Sequence, residues 1–236
     1  MPGCNNPGEM EGEPRRLRAD AERNRRRLID AATELFRERG LEVGVGEIAE
    51  HAEVGRGTLF RNFPSKDALV VAVVVERIKD SVQRGRSLLT HDDPAAAAFA
   101  LVDDALERQA ADRALFEALA GDWMAHPEIH AAHNEMLAVV EQILHRAQAV
   151  GAIRADVSGV DVMLAVKGVC EVQRVFPGLA RDVGRRQLEL LKAGLTPHEN
   201  IVPLSGEPPQ AADLDCAIAR LAGTELPLAE AGRASA

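Results

Sequence analysis

Arg56, Gly57, Thr58, Arg61 and Asn62 fall within seven consecutive positions, and Lys66 follows four residues later. These side chains are suited to holding a polyanion rather than to making or breaking bonds. Guanidinium, hydroxyl and carboxamide groups can all hydrogen-bond to base edges or to phosphate oxygens. The ligand this group points to is duplex DNA.

The surrounding residues supply a frame that would present them. Val45, Ile48, Ala49 and Ala52 recur at i, i+3, i+4 and i+7, the spacing of one buried face on a helix of about two turns. Glu53, Val54 and Gly55 form a turn, and Leu59, Phe60 and Phe63 resume the apolar stripe, leaving the five polar-face residues outward. Pro64 disfavours helical geometry at Phe63 and ends the second helix. Ser65 can then cap a third, with Asp67 in its first turn and Lys66 where a helix N-terminus could hold a phosphate. Two short helices joined by a tight turn also occur in all-helical proteins that never touch DNA, so spacing alone leaves both readings open.

Other chemistry-bearing residues form weaker sets. His126, His130 and His133 are spaced along one helical face, but Pro127 places His126 outside the helix and removes a third metal ligand, so no metal site is assigned. Lys167, Glu171 and Arg174 share a helical face; the Lys-before-Glu order is the weaker orientation of a pair worth about 0.2–0.5 kcal/mol. Cys4, Cys170 and Cys216 are odd in number and widely separated, which gives neither a disulfide framework nor a zinc motif. No nucleophile–base motif or glycine-rich phosphate loop is present. The expectation is therefore a binding protein rather than an enzyme, with no cofactor.

The chain has 236 residues, 46% hydrophobic and 28% charged, a composition of soluble globular proteins. Its net charge of −9 divides unevenly: residues 15 to 66 hold 12 Lys/Arg and 9 Asp/Glu, a net of +3, and the remainder holds 16 and 28, a net of −12. A mildly basic head on an acidic body keeps non-specific nucleic-acid affinity low while retaining a positive docking surface. The longest apolar run, Ala68 to Val75, is too short to span a bilayer, and the N-terminus lacks an apolar signal core, which predicts a cytoplasmic protein with no membrane partner.

The pattern predicts an all-α chain: a disordered tail over 1–14, a three-helix helix-turn-helix head over 15–69, a helical-bundle effector and dimerisation body over 70–196, and a largely flexible tail over 197–236. In the head, a basic stretch from Arg15 to Arg27 leads into a helix whose buried stripe is Leu28, Ala31, Ala32, Leu35 and Phe36, closed by Gly40 as a C′ residue. Those arginines fit either a basic arm on DNA or a charged face partnered by Asp20 and Glu22. Beyond the head, helices are predicted from Ser65 to Leu89 and over 94–110, 113–123, 127–149, 159–176 and 181–195, with Pro94 and Pro127 at first-turn positions and Gly151 at a helix end. Five prolines break up residues 197–236, leaving one short helix near Asp213 to Ala222.

Together, Arg27 to Gly40, the helix pair, and Phe63-Pro-Ser-Lys-Asp-Ala-Leu69 resemble the DNA-binding head of the TetR/AcrR family of transcriptional regulators. The resemblance implies a homodimer whose second head helix reads the major groove of a palindromic operator, and whose body binds a small effector that changes the spacing of the two heads. It implies a DNA-binding set of Val45, Arg56, Gly57, Thr58, Phe60, Arg61, Asn62 and Lys66. Phe60 stands where the family usually has a Tyr whose hydroxyl meets a phosphate, and Asn62 replaces a common His. Gly44 and Gly55 occupy positions of usual Ser or Thr caps, a weakening of up to about 1 kcal/mol each. A bidentate arginine–guanine contact is worth ~1–3 kcal/mol in discrimination, so at least one G is expected in each half-site.

The body, from Phe116 through Gly151-Ala-Ile-Arg-Ala-Asp156, resembles the SbtR-like subgroup of these regulators. Pockets in helical bundles are apolar with a few polar groups. Phe99, Asp103, Phe116, Leu119, Trp123, Met124, His130, Met163, Lys167 and Cys170 are the candidate effector contacts, and each also fits plain core packing. Val162, Val166, Val169, Leu188, Leu191 and Leu195 read as core or as dimer interface, with Gly168 permitting close approach of two helices. A protein-interaction module whose head has lost specific DNA binding is the alternative function.

Overall fold

A computed structural model describes residues 12–111, 122–175 and 180–221 of the chain, and among them every regular element is helical. The chain divides into two compact units, Met1–Val74 and Val75–Ala236. The division falls within the fourth helix, a few residues beyond the expected boundary at Leu69.

In the first unit, α1 (Gly12–Arg39), α2 (Val45–His51), α3 (Arg56–Asn62) and the start of α4 (Lys66–Leu88) enclose a small core. Leu28, Ala32, Phe36, Ile48, Leu59, Phe63 and Leu69 are all essentially inaccessible. Helix α1 already includes residues 12–14, which the sequence placed in a loose tail. Its C-terminus follows expectation: Gly40 has φ 75° and donates its N–H to Phe36 O at 2.8 Å, closing the last turn. Phe63 is extended, as Pro64 requires, and the Ser65 hydroxyl oxygen accepts the Ala68 N–H at 3.1 Å.

The second unit contains the remainder of α4, α5 (Pro94–Ala111), a 3-10 turn (Asp122–Ala125), α6 (Pro127–Ala149), α7 (Gly159–Val175), α8 (Ala180–Leu195) and α9 (Ala211–Leu221). Helix α5 packs against α6, α7 and α8, and α7 packs along α8. The core is built from small and branched side chains: Ala98 and Val102 of α5, Ile129, Ile143 and Leu144 of α6, and Val160, Val162 and Val166 of α7. Val162 and Val166 are thus core, whereas Val169, Leu188 and Leu191 remain partly accessible. Helix starts are capped locally: Asp93 Oδ1 accepts the N–H groups of Ala95 and Ala96, and Ser158 and Asp161 exchange hydrogen bonds across the first turn of α7. The helix expected over 113–123 lies almost wholly outside the described residues; its last two positions form the start of the 3-10 turn.

Beyond Leu195 the expected short helix is present as α9, and two backbone groups of the proline-rich stretch before it are bonded to the body. Arg154 makes a bidentate pair with Asp156, at 2.5 and 2.7 Å, and donates to Val202 O at 2.9 Å; Asp156 also accepts the Leu204 N–H at 2.8 Å. These bonds hold the Asp156 carboxyl well below the usual carboxylate range, with the Arg154 bond the largest cause and the Leu204 N–H next. Farther along, His130 Nε2 lies 2.7 Å from Asp215 Oδ1 on α9. No described helix is long and apolar enough to cross a membrane.

Candidate nucleic-acid interface

Helix α3 projects from the first unit with its apolar side, Leu59 and then Phe63, turned into the core. Arg56, Gly57, Phe60 and Arg61 are exposed, Thr58 is half-exposed, and Lys66 stands partly exposed at the N-terminus of α4. Phe60 leaves the buried stripe in which the sequence placed it: the residue is 48% exposed. Adjacent helical positions diverge by about 100°, so α1 and α2 can cover Leu59 and Phe63 without covering Phe60. Val45 is only partly buried, at the edge of the α2 face formed by Ile48, Ala49 and Ala52.

The turn runs through Glu53, Val54 and Gly55 as expected, with Gly55 as the N-cap of α3. Gly55 has φ −68°, while Glu53 carries the left-handed conformation with φ 52°. Val54 N–H bonds to Ala49 O at 2.9 Å and Glu53 N–H to Glu50 O at 3.0 Å, the paired bonds of a Schellman ending. Helix α2 is also better capped than Gly44 suggests, because Glu47 reaches back to accept the Gly44 N–H at 3.3 Å. Arg39 Nη1 fixes that carboxylate at 2.6 Å and, with the Gly44 N–H, lowers its pKa. Gly55 provides no side-chain cap to α3.

The charges of the head fall into two groups. Arg23 pairs with Asp20, Arg26 with Asp30 and Arg27 with Glu53, while Arg25 lies 4.4 Å over the Phe63 ring, so these α1 arginines are engaged within the head. Neither Arg56 nor Arg61 has an ion-pair partner among the described residues. Arg56 does lie along α2: a Cβ added at Gly46 would collide with its guanidinium, so the missing side chain there makes room for it. Asn62 departs from the outward set, donating from Nδ2 to Thr58 O at 2.8 Å.

Within the second unit, α4 to α7 enclose a cavity of about 70 Å³. Its walls include Val82, Val102, Met136, Val139, Met163 and Val166, and Ser81, Asp104 and Arg108 stand at its polar side. A Cβ at Gly85 would come within 2.7 Å of Val139 Cγ1, so glycine lets α4 and α6 approach here.

The N-terminal region, residues 28–73, matches the family described as bacterial regulatory proteins, tetR family, and residues 93–197 match the SbtR-like transcriptional regulator C-terminal domain. A TetR transcription regulatory protein from Mycobacterium vanbaalenii is 35% identical, with a TM-score of 0.56 over 77% of this chain and 99% of that one. The chain belongs to the TetR family of transcriptional regulators. The TetR regulator SCO0520 from Streptomyces coelicolor is 27% identical over 73% of this chain and 98% of its own, with a TM-score of 0.56. A helix-turn-helix transcriptional regulator of Staphylococcus aureus (strain USA300) is 39% identical over 59 residues, and the match spans 32% of that curated relative's length. Membership makes the protein a DNA-binding regulator with a helix-turn-helix head and not an enzyme.

Within this TetR regulator, the effector candidates read from the sequence do not converge on the cavity. Of those among the described residues, Met163 alone lines it. Phe99 and Asp103 instead meet Lys192 of α8, whose Nζ lies 5.9 Å from the Phe99 ring centroid and 2.5 Å from Asp103 Oδ1. His130 is engaged with Asp215 and Trp123 is half-buried in the 3-10 turn. Lys167 has its pKa lowered by burial, against the opposing influence of Glu171, and burial pushes the Cys170 thiol up to about 11. Phe116, Leu119 and the side chain of Met124 lie outside the described residues. Arg84, Asp104 and Arg108, at the polar side of the cavity, are not among the sequence candidates: the i,i+4 spacing of Asp104 and Arg108 is legible, but Arg84 joins them from another helix, twenty positions away from Asp104.

Proposed function

We propose that this TetR-family regulator is a cytoplasmic homodimeric repressor that binds a palindromic operator through the major groove and is released by a small molecule held in the body. The observation carrying this reading is that α3 offers Arg56, Gly57, Thr58 and Arg61 to solvent, whereas Arg23, Arg26 and Arg27 of α1 are paired with carboxylates of the head. Two arginines with unused planar donor arrays suit guanine recognition. Lys66 and the first turn of α4 add a phosphate contact. The exposed Leu164 of α7, one turn before a Gly168 whose added Cβ would meet nothing, and the exposed Leu190 of α8 support a second copy packing against these helices.

Selection of random duplex DNA by the purified full chain, with binding repeated across a salt series, tests the proposal. A palindrome with G in each half-site is expected. Phe60 lacks the phenolic hydroxyl and Asn62 folds back on its helix, which favours a protein-interaction module as the second reading. Weak, salt-sensitive binding without enrichment is what that reading predicts.

A further inference from the structure

At the polar side of the α4–α7 cavity, two guanidinium groups share one carboxylate. Arg108 Nε lies 2.6 Å from Asp104 Oδ1, and Arg84 Nε lies 3.4 Å from Asp104 Oδ2. Arg84 Nη2 also donates to Ser81 Oγ at 3.1 Å. All three charged side chains are about one-third exposed. Among the described residues Asp104 is the carboxylate bonded to these two guanidiniums, so the three groups together carry one positive charge beside an apolar cavity. Burial, followed by the Arg108 charge, lowers the Arg84 pKa, against the opposing pull of Asp104.

We propose that this cavity takes a small amphipathic monoanion, with its acidic group on Arg84 and Arg108 and its apolar part among the valines and methionines. The assignment rests on reading the cavity as the effector site and names the chemical class it admits. Both Asp104 oxygens already accept from a guanidinium, so a cationic ligand would have to displace one. Each guanidinium carries five N–H donors, and the bonds to Asp104 and Ser81 leave several for an incoming carboxylate. Size narrows the class further. A cavity of about 150 Å³ holds a benzene ring, so a space of about 70 Å³ accepts a short chain or a ring only as neighbouring side chains yield. Met136 and Met163, unbranched and flexible, are the lining residues able to do so.

Titration calorimetry of the full chain with hexanoate, hexan-1-ol and hexylamine tests the assignment. Hexanoate should bind at least tenfold more tightly than hexan-1-ol, and hexylamine should not bind. Asp104→Asn, which leaves both guanidiniums without their shared anion, should tighten hexanoate severalfold, while Arg108→Gln or Arg84→Gln should reduce it to the level of the alcohol. Ala105→Leu, which fills the cavity, should abolish binding of acid and alcohol together while melting as cooperatively as the parent. Equal binding of acid and alcohol, or preference for the amine with loss in Asp104→Asn, would overturn the anion assignment and leave the cavity as the effector site. Binding of none of the three, or acid binding that survives Ala105→Leu, would overturn both.

Discussion

Asn62 turns its carboxamide onto its own helix, donating from Nδ2 to the Thr58 carbonyl 2.8 Å away. Its backbone carbonyl accepts from Arg25 Nη1 at 3.4 Å, and Arg25 also covers Phe63. Asn62 therefore helps to fix the end of α3 against α1, and Arg61 beside it is the residue free to meet a base. Asn62→Ala should lower affinity for a selected duplex by no more than about 1 kcal/mol, without changing base preference. A larger loss accompanied by relaxed preference at one base pair, measured by fluorescence anisotropy, would return Asn62 to the reading set.

Phe60 presents an exposed ring with no hydrogen-bonding group. Phe60→Tyr adds a hydroxyl without altering charge, and a new bond to phosphate is worth about 1 kcal/mol net. The expected result is roughly a fivefold gain in affinity with an unchanged slope of log K against log salt, because no additional counterion is released. No gain would place the ring away from the phosphates.

Glu53 is the one non-glycine residue at positive φ among those described, and Arg27 Nη2 holds its carboxylate at 2.8 Å. Left-handed geometry costs a side-chain-bearing residue about 1–2 kcal/mol. An exposed ion pair returns about 0–1 kcal/mol. Glu53→Gly should consequently stabilise the protein by up to about 1 kcal/mol in urea unfolding. A loss exceeding about 1 kcal/mol would mean that the Arg27 contact outweighs the backbone strain.

These residues show how far the sequence could be read. Ile48, Ala49, Ala52, Leu59 and Phe63 obey a helical period, and Pro64, Gly40 and Gly151 act on their immediate neighbours, so α1 to α3 and many helix ends follow from local rules. Phe60 does not, because its exposure depends on how α1 and α2 cover α3. Glu47 capping α2 in place of a residue at position 44, and Glu53 adopting the conformation usually left to glycine, likewise depend on Arg39 and Arg27, partners brought in by the fold. In the body, Lys192 reaches Asp103 and Arg84 reaches Asp104 from other helices. No periodicity encodes those meetings. Nor does any local pattern mark the bonds that Arg154 and Asp156 make to the backbone of the proline-rich segment after Leu195.

His133 is 5% exposed, and its Nδ1 has no hydrogen-bond partner among the described residues. Burial, then the charges of Lys167 and His130, push its pKa down to about 4, with Asp215 opposing. The unfolded chain takes up this proton near pH 6.5 and the folded chain only near 4, so stability should be flat above about 6.5 and fall through that window as pH drops. The full effect is on the order of 3 kcal/mol. Urea midpoints for the parent and His133→Leu should diverge in slope between pH 7.5 and 4.5, with the variant less pH-sensitive. Parallel profiles would show that His133 does not carry this dependence.

The central claim is that Arg56 and Arg61 read bases from α3. The most direct measurement is the affinity of the parent and of the Arg56→Ala and Arg61→Ala variants for the selected duplex and for duplexes with each half-site G replaced, at fixed salt. At least one variant should lose about 1–3 kcal/mol of discrimination at a single base pair, so that the replaced duplex binds it as well as the selected one does. If both variants keep the parent's full preference for G while binding every duplex equally more weakly, the arginines contact only phosphate, and α3 does not read the operator through them.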